Sequence, residues 1–327
     1  MAFFISQSLF FIIPLLIVAL AGMFSEKSGT VNIALEGIMV IGAFCGIFFL
    51  NRMQAAGILS DNKQLLIMLS VFVGGFGGII FASLLGFLAI NMRADQTIGG
   101  TALNILAASL AIFLAKTLQS NGAAQIGFDP QGFSLGGKFL RDVFPNINYI
   151  FFDRAYITTY FGLLLFGLST VIIYKTRFGS RLSACGEHPE AAQSVGINVV
   201  FYRWAGVLIS GFLAGMGGVI YILPISVSFE GTVAGYGFLA LAVLIFGQWK
   251  PVRILWAAIF FGMFKALSVT FFGMDWVKAL SEIWPSFPFG MVFKMLPYLA
   301  TMVVLAISSK RSFAPKASGK PFIAKGR

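Results

Sequence analysis

The sequence predicts an all-α protein, a polytopic bundle of transmembrane helices that crosses the membrane about nine times. Three observations support this prediction: 58% of the residues are hydrophobic, only 11% are charged, and long apolar runs recur along almost the whole chain. Soluble domains carry about 25% charged residues, so the composition excludes an ordinary soluble protein. The net charge of +11 does not indicate nucleic-acid binding, because the basic residues lie in short loops and the tail, where membrane topology places them.

Nine apolar runs approach the roughly 20 residues that a spanning helix needs. The second run contains polar residues and glycines, and the seventh is short, so the count ranges from eight to ten. The first 25 residues carry no positive charge, which predicts a first span rather than a cleaved signal peptide. The runs are 7–24, 29–50, 65–90, 97–118, 156–174, 202–223, 233–247, 254–273 and 292–308.

Lysine and arginine predict the orientation. When the C-terminus is placed in the cytoplasm and the spans alternate, the inner segments hold most of the basic residues. The polar segment at about 175–203 then lies in the cytoplasm, and the N-terminus lies outside. We therefore predict one transmembrane domain over 1–308, with a cytoplasmic loop at about 175–203, followed by a basic cytoplasmic tail over 309–327. The localisation that fits is a membrane, with lipid as its surroundings.

The polar segment, residues 175–203, is expected to contain one short helix. Pro189 suits the first turn of that helix, Glu190 suits its positive N-terminal end, and Gly196 suits its C-terminal stop. Ala191, Ala192 and Val195 would give it one compact apolar face. Two interpretations fit: a helix that docks into the groove of a soluble partner, or an ordinary amphipathic loop on the membrane surface.

Polar side chains within the spans form three patches. Asn32 and Glu36 are four residues apart and so share a helix face. A charged carboxylate at the bilayer centre costs at least about 2.5 kcal/mol, so Glu36 should face protein or water. It either lines the substrate path or makes a structural hydrogen bond to a neighbouring helix. Thr101 and Asn104 belong to the second patch, and Glu230 to a third near the outer mouth.

Two further features have more than one interpretation. Glycines cluster at 74–78 and 211–218, where small residues allow either close helix packing or sliding during gating. The longest outer connection, 119–155, is rich in turn residues. It is either a solvated lid or a functional cover of a pore mouth.

No pattern of a catalytic or nucleotide-binding site is present. The chain lacks the P-loop, G-x-S-x-G and H-E-x-x-H motifs. Its single histidine, His188, has no cluster of cysteines or carboxylates around it, and Cys45 and Cys185 lie in different settings without metal-type spacing. The sequence therefore predicts no enzyme activity, no metal and no cofactor bound by this chain.

Five sequence blocks, in order over nearly the whole chain, carry a resemblance to a known family. They are SEKSGTVNIALEGIMVIGAF at 25–44, GGTALNILA at 99–107, TRFGSRLSACGEHPEAAQSVGI at 176–197, GYGFLALAVLIFGQWKP at 235–251, and LPYLATMVVLAI at 296–307 followed by APKASGKPF at 314–322. They resemble the ABC-importer permeases of the branched-chain amino acid and ribose permease superfamily. The last three are most similar to its nucleoside and simple-sugar branch, whose systems often use receptors of the basic-membrane-protein type.

The resemblance implies an importer of nucleosides, purine nucleosides first, that works by alternating access in the bacterial inner membrane. Riboflavin or a simple sugar are alternative substrates, and an ion-coupled secondary transporter is the rival class. The implied partners are a double-domain ABC ATPase that holds ATP and Mg²⁺, a second permease chain, identical or different, and an extracytoplasmic substrate-binding lipoprotein.

The resemblance also implies roles for individual residues. The polar segment would be the coupling helix that docks on the ATPase. The chain departs from the family pattern at His188, where Asn is usual, and at Tyr236, where Arg is common. The implied coupling residues are Gly186, Glu187, Pro189, Ala191, Ala192 and Gly196, and the candidates for the translocation path are Asn32, Glu36, Thr101, Asn104, Glu230 and Tyr236.

Overall fold

The structure, a computed structural model, describes residues 2–59, 61–119, 122–137, 148–271 and 313–322, with a few single residues between 283 and 306. Within these residues the chain forms ten α-helices, and one pair of two-residue strands. The helices are α1 (Ala2–Lys27), α2 (Leu35–Ala55), α3 (Lys63–Gly86), α4 (Gln96–Leu118), α5 (Ile157–Lys175), α6 (Arg177–Glu187), α7 (Pro189–Ser194), α8 (Val199–Ile225), α9 (Tyr236–Phe246) and α10 (Pro251–Thr270); the strands are β1 (Ile126–Gly127) and β2 (Ser228–Phe229).

Seven of these helices are long and apolar enough to cross a membrane: α1, α2, α3 with the π-helical turn that follows it, α4, α5, α8 and α10. The predicted polytopic helical bundle is thereby confirmed, although not the count of nine. The predicted run 292–308 lies almost wholly outside the described residues. Helix α9 has only 11 residues, about 16 Å at 1.5 Å per residue, which is about half the hydrocarbon thickness.

The predicted run 29–50 is wrong at its start. Residues 28–34 are not helical, and α2 begins at Leu35. Gly29 adopts a left-handed backbone conformation with φ of +96°, which cannot continue a right-handed helix, so α1 ends before it. Glycine adopts this conformation readily because it has no Cβ atom. The helical period of the apolar residues did not show this break.

Helices α1 and α8 form the centre of the bundle. Helix α8 packs against α1, α2 and α3, and α1 also packs against α5, α9 and α10. Helices α4 and α5 lie at the periphery, with exposed apolar side chains such as Ile105 and Leu164. Exposed apolar side chains on a membrane-spanning helix are suited to lipid or to another apolar chain.

Glycines allow α2, α3 and α8 to touch backbone to backbone. A Cβ atom on Gly42 would overlap the backbone of Gly215, and one on Gly78 would overlap the carbonyl of Gly211. Side chains larger than hydrogen would therefore force these helices apart. The contacts agree with the packing interpretation of the glycine clusters, while sliding stays a prediction.

The described part of the long outer connection is held in place by hydrogen bonds. Strand β1 pairs antiparallel with β2. The side chains at the end of α2 and the start of α3 bind its backbone: Asn51 donates to the Gly127 carbonyl at 2.8 Å, Gln54 exchanges two hydrogen bonds with Asp129, and Lys63 donates to the Gln131 carbonyl at 2.8 Å. Residues 122–137 thus form an ordered cover over this end of the bundle.

The tail residues 313–322 lie at the opposite end, on the polar segment. The amide of Ala317 donates to the Gly186 carbonyl at 2.8 Å. The guanidinium of Arg203, whose side chain is buried, donates to the Lys320 carbonyl at 3.0 Å. The tail and the polar segment therefore occupy the same face of the protein.

Candidate functional site

The polar segment folds as two helices, α6 and α7, and not as one. The Thr176 hydroxyl accepts a hydrogen bond from the Gly179 amide at 3.1 Å and caps α6. His188 separates the two helices, and Pro189 occupies the first turn of α7 as expected. Gly196, with φ of +85°, follows the end of α7. Pro189 and Gly196 correctly predicted the bounds of α7, whereas the glycines and arginines of α6 did not indicate the helix before it.

Helix α7 presents a small, exposed surface. Ala191 is exposed and Val195, four residues later, is 75% exposed, whereas Ala192 is only 4% exposed and faces the bundle. The prediction that Ala191, Ala192 and Val195 share one face is therefore wrong for Ala192, because adjacent residues on a helix point about 100° apart.

The other predicted coupling residues divide in the same way. Glu187 and Gly196 are exposed and Pro189 is half-buried, while Gly186 is buried against the end of α1. Burial raises the pKa of the neighbouring Cys185 thiol to about 11, although the Arg203 guanidinium acts in the opposite direction. The thiol is therefore protonated and unreactive at neutral pH.

Residues 28–34, the α1–α2 connection, are held by side chains of α4 and α8. Asn104 donates to the Ile33 carbonyl at 2.9 Å and accepts from the Gly37 amide at 2.7 Å. Asn32 is fully buried and donates to the Ser210 hydroxyl at 2.9 Å. Non-helical backbone within a membrane needs such partners, because lipid supplies none.

The Glu36 carboxylate binds the N-terminus of the half-length helix α9. Its two oxygens accept hydrogen bonds from the amides of Gly235, at 2.8 Å, and Gly237, at 2.6 Å. Gly235 has a φ of +76°, a conformation that glycine adopts without strain. A carboxylate suits the partial positive charge and the free amides of a helix N-terminus. The predicted hydrogen bond to a neighbouring helix is therefore present, and it fixes where α9 begins.

The remaining path candidates lie in different settings. The Thr101 hydroxyl is exposed and donates to carbonyls of its own helix, those of Thr97 and Ile98. Glu230 is exposed on the side of the outer cover and accepts from Gln125 at 3.2 Å. The structure thus brings Asn32 and Asn104 together at the α1–α2 connection but places Glu230 elsewhere.

Tyr236 is a core residue in this conformation. Its side chain is 1% exposed, its hydroxyl donates to the Phe11 carbonyl at 2.5 Å, and its ring stacks on Tyr221 with centroids 4.2 Å apart. A side chain with almost no exposed surface cannot contact a solute, so the packing does not support a place for Tyr236 in the path.

Replacing Tyr236 with phenylalanine tests this placement. The variant loses one buried hydrogen bond and keeps the ring stacking, so we expect a loss of about 1 kcal/mol in the free energy of unfolding. The KM of transport should stay unchanged. Thermal unfolding and uptake kinetics of the wild type and the variant check this. A large change in the KM of transport would indicate that Tyr236 contacts the solute.

Two polar contacts were missed by sequence reasoning. Glu26 accepts a 2.6 Å hydrogen bond from the Trp249 indole, and both side chains are buried. Trp249 follows α9 in a turn where Gln248 and Trp249 both have positive φ. Gln96, also buried, accepts from the Val31 amide at 2.7 Å. In the sequence, Glu26 and Lys27 look like an ordinary interfacial charge pair at the end of a span. No sequence pattern indicated that Glu26 would be buried and would bind Trp249.

A family model described as "Branched-chain amino acid transport system / permease component" matches residues 4–306. The chain belongs to this family. It is a multi-pass membrane protein and the permease subunit of an ABC transporter, and the resemblance in the five sequence blocks is confirmed. ATP hydrolysis in such systems belongs to a separate ATPase, and a substrate-binding protein completes them. This subunit is a transport component, not an enzyme.

Known relatives cover almost the whole chain. It is 38% identical over 320 residues to the nucleoside ABC transporter permease protein NupC of Lactococcus lactis, with 98% of this chain and 96% of that protein aligned. It is 38% identical over 324 residues to the guanosine ABC transporter permease protein NupQ of Bacillus subtilis, with the same coverage. It is 30% identical over 261 residues to the putative glucose ABC transporter permease protein TsgC13 of Haloferax volcanii, with 78% of this chain and 73% of that protein aligned.

Proposed function

We propose that this permease imports nucleosides, purine nucleosides first, by alternating access. The observation that carries the proposal is the near full-length identity of 38% to two permeases named for nucleoside and guanosine transport. The relative named for glucose is less similar and aligns over a shorter stretch. A simple sugar is therefore the second candidate substrate. None of these three relatives is named for riboflavin transport.

The proposed docking surface for the ATPase is α7 with the residues next to it. Glu187, Ala191, Val195 and Gly196 form the exposed part, and small side chains allow a close fit into a groove. Gly186 and Ala192, from the predicted coupling set, instead hold the two helices onto the bundle. The full assembly that we propose adds a double-domain ABC ATPase, a second permease chain and an extracytoplasmic lipoprotein receptor.

The proposed topology has nine crossings in the bacterial inner membrane, with the C-terminus in the cytoplasm. Two observations support it. The face that carries the polar segment also carries the tail, and the basic residues concentrate in these segments. In this topology residues 1–308 form the transmembrane domain, α9 supplies the helical half of the seventh crossing, and 309–327 is the basic tail.

The translocation path is proposed to pass the N-terminus of α9. Glu36 and Asn104 lie at this level through their contacts with Gly235 and Gly37. Half-length helices with their ends at mid-membrane often mark the substrate site of a transporter. Thr101 completes the proposed wall, and Glu230 lies toward the outer mouth. Asn32 is fully buried and supports the wall through its hydrogen bond to Ser210.

Replacing Ala191 with arginine is expected to uncouple ATP hydrolysis from transport. The long charged side chain would separate α7 from the ATPase groove, so uptake should fall about tenfold or more, a cost of about 1.4 kcal/mol or more at the docking surface. Uptake and ATPase activity in proteoliposomes measure this.

The matched control is Ala94→Arg, which places the same charge at another exposed alanine on a loop of the same chain. It should leave uptake unchanged. Uptake at the wild-type rate by Ala191→Arg would contradict a role of α7 in coupling.

The substrate is tested with the receptor and the transporter together. Binding of guanosine, adenosine, riboflavin and glucose to the copurified receptor identifies the ligand class, and ATP-driven uptake of the bound ligand confirms it. Uptake that continues with ATP after the proton and sodium gradients have been collapsed excludes the ion-coupled alternative. Binding of glucose alone would replace the nucleoside proposal.

A further inference from the structure

Helix α9 is held at both ends by carboxylates from one short stretch of chain. Glu36 accepts the amides of Gly235 and Gly237 at its N-terminus. Glu26 accepts the Trp249 indole N–H at 2.6 Å, in the turn that follows its C-terminus. Glu26 lies in the last turn of α1 and Glu36 in the first turn of α2. The two carboxylates therefore flank the α1–α2 connection, and its geometry affects the position of the half-length helix.

The same connection lies directly against α6. A Cβ atom on Gly186 would overlap the Lys27 carbonyl and would lie 3.3 Å from the Gly29 amide nitrogen. No side chain separates the two backbones. A displacement of α6 must therefore move the connection or break this contact, because packed backbones cannot interpenetrate.

The connection has the features of a hinge. Residues 28–34 are not helical, and a few non-helical residues can absorb a change in backbone angles while the adjoining helices stay intact. Among the residues that the structure describes, none donates a hydrogen bond to the buried Oδ1 atom of Asn32. Buried polar atoms are nearly always paired, so a second arrangement of the connection that pairs this atom would gain a hydrogen bond.

The connection also reaches well into the bundle. Asn32 contacts Ser210, which lies about 16 Å along α8 from Val199 at 1.5 Å per residue. Gly186 contacts the connection at its opposite end. Gly29 lies against Arg203 and Asn32 against Ser210, so the connection follows α8 for about 10 Å toward the interior of the bundle.

We propose that the α1–α2 connection carries movement of α6 and α7 to the N-terminus of α9, with Gly186, Glu26 and Glu36 as positioning residues. This inference rests on the proposed function, because the ATPase supplies the movement. When the ATPase closes, α6 displaces the connection, and the two carboxylates shift α9 relative to the path. Glu36 acts on transport by placing α9 and not by binding the solute.

The test places a reporter on α9 in the complete transporter. Cys45 and Cys185 are replaced by alanine, and Phe238, a 50% exposed side chain in the first turn of α9, is replaced by cysteine. The rate of its modification by a water-soluble thiol reagent is measured in proteoliposomes without nucleotide and with ATP and vanadate. We expect the two rates to differ at least about fivefold, a typical size for coupling between two sites.

Gly186→Ala should reduce this difference to less than about twofold, because its methyl group displaces α6 from the connection. Gly167→Ala is the matched control, since Gly167 lies on α5 and no atom of the described residues lies within 4 Å of the added carbon. It should keep the full difference. Copurification of the ATPase confirms that each variant assembles.

A second variant keeps the test decisive if Gly186→Ala does not assemble. Trp249→Phe removes the N–H that binds Glu26 and keeps an aromatic ring, and it too should reduce the ATP-dependent difference. A full difference in both variants, or in Trp249→Phe when it alone assembles, would overturn the inference while leaving the proposed function intact. Absence of ATP-driven uptake in the wild type would overturn the proposed function and the inference with it.

Discussion

Gly42→Val is expected to lower the midpoint of thermal unfolding by about 6–12 °C and to reduce the yield of folded protein. A Cβ atom at position 42 overlaps the backbone of Gly215, so α2 and α8 must separate. Overpacking of this kind costs about 3 kcal/mol, and each kcal/mol lowers the midpoint by about 2–4 °C in a large domain. The measurement is thermal unfolding of the purified protein, followed by size-exclusion chromatography.

Gly167→Val is the control for the loss of a helical glycine. In the part of the chain that the structure describes, no atom lies within 4 Å of a Cβ added at Gly167, so this variant carries the helix propensity of valine without the overlap. We expect its midpoint to stay within about 2 °C of the wild type, since exposed substitutions usually change stability by less than about 0.5 kcal/mol. Equal effects of the two variants would show that the close approach of α2 and α8 contributes little.

Glu36→Gln is expected to reduce uptake about tenfold or more while the permease still assembles with its ATPase. The carboxylate accepts two backbone amides at 2.8 and 2.6 Å, and hydrogen bonds to a charged group each contribute about 1.5–3 kcal/mol. In glutamine an NH₂ group replaces one of the two carboxylate oxygens. It would point an N–H at one of these backbone N–H donors and could not accept a hydrogen bond from it. The N-terminus of α9 would then no longer be held in place. A change of about 1.4 kcal/mol in the free-energy difference between two positions of α9 changes their population ratio tenfold.

Asp61→Asn is the matched control, since it makes the same change from carboxylate to amide at an exposed position in the loop between α2 and α3. Uptake, ATPase activity and copurification are measured for both variants. Unchanged uptake in Glu36→Gln would make the contact with α9 dispensable for transport. Loss of copurification would show that Glu36 serves assembly instead.

Local signals predicted much of α7 and of the glycine contacts. Pro189 and Gly196 bound α7 as their backbone preferences require. The glycine clusters indicated close helix contacts, because only small residues allow them. The face of α7 that contacts the bundle was not predictable, since Ala191 and Ala192 are chemically identical and only the packing of α7 buries the second one.

The seventh run is short, which indicated a broken or tilted helix, and α9 has only 11 residues. Its capping group could not be identified in the same way. Glu36 lies 199 residues before Gly235, and Glu26 lies 223 residues before Trp249. Residues at such distances meet only after the bundle has formed, and each of these glutamates looked locally like a member of a helix face or a charge pair.

The sequence by itself determined that this is a helical membrane protein, because lipid offers no hydrogen-bond partners and a chain this apolar must satisfy its backbone within helices. The resemblance of its ordered blocks also determined the permease family. The tertiary structure alone decided that the second run is interrupted at residues 28–34, that Tyr236 belongs to the core, and that Glu36 and Glu26 hold α9. These facts depend on contacts between distant segments, whose geometry is set by how the helices pack and not by the local order of residues.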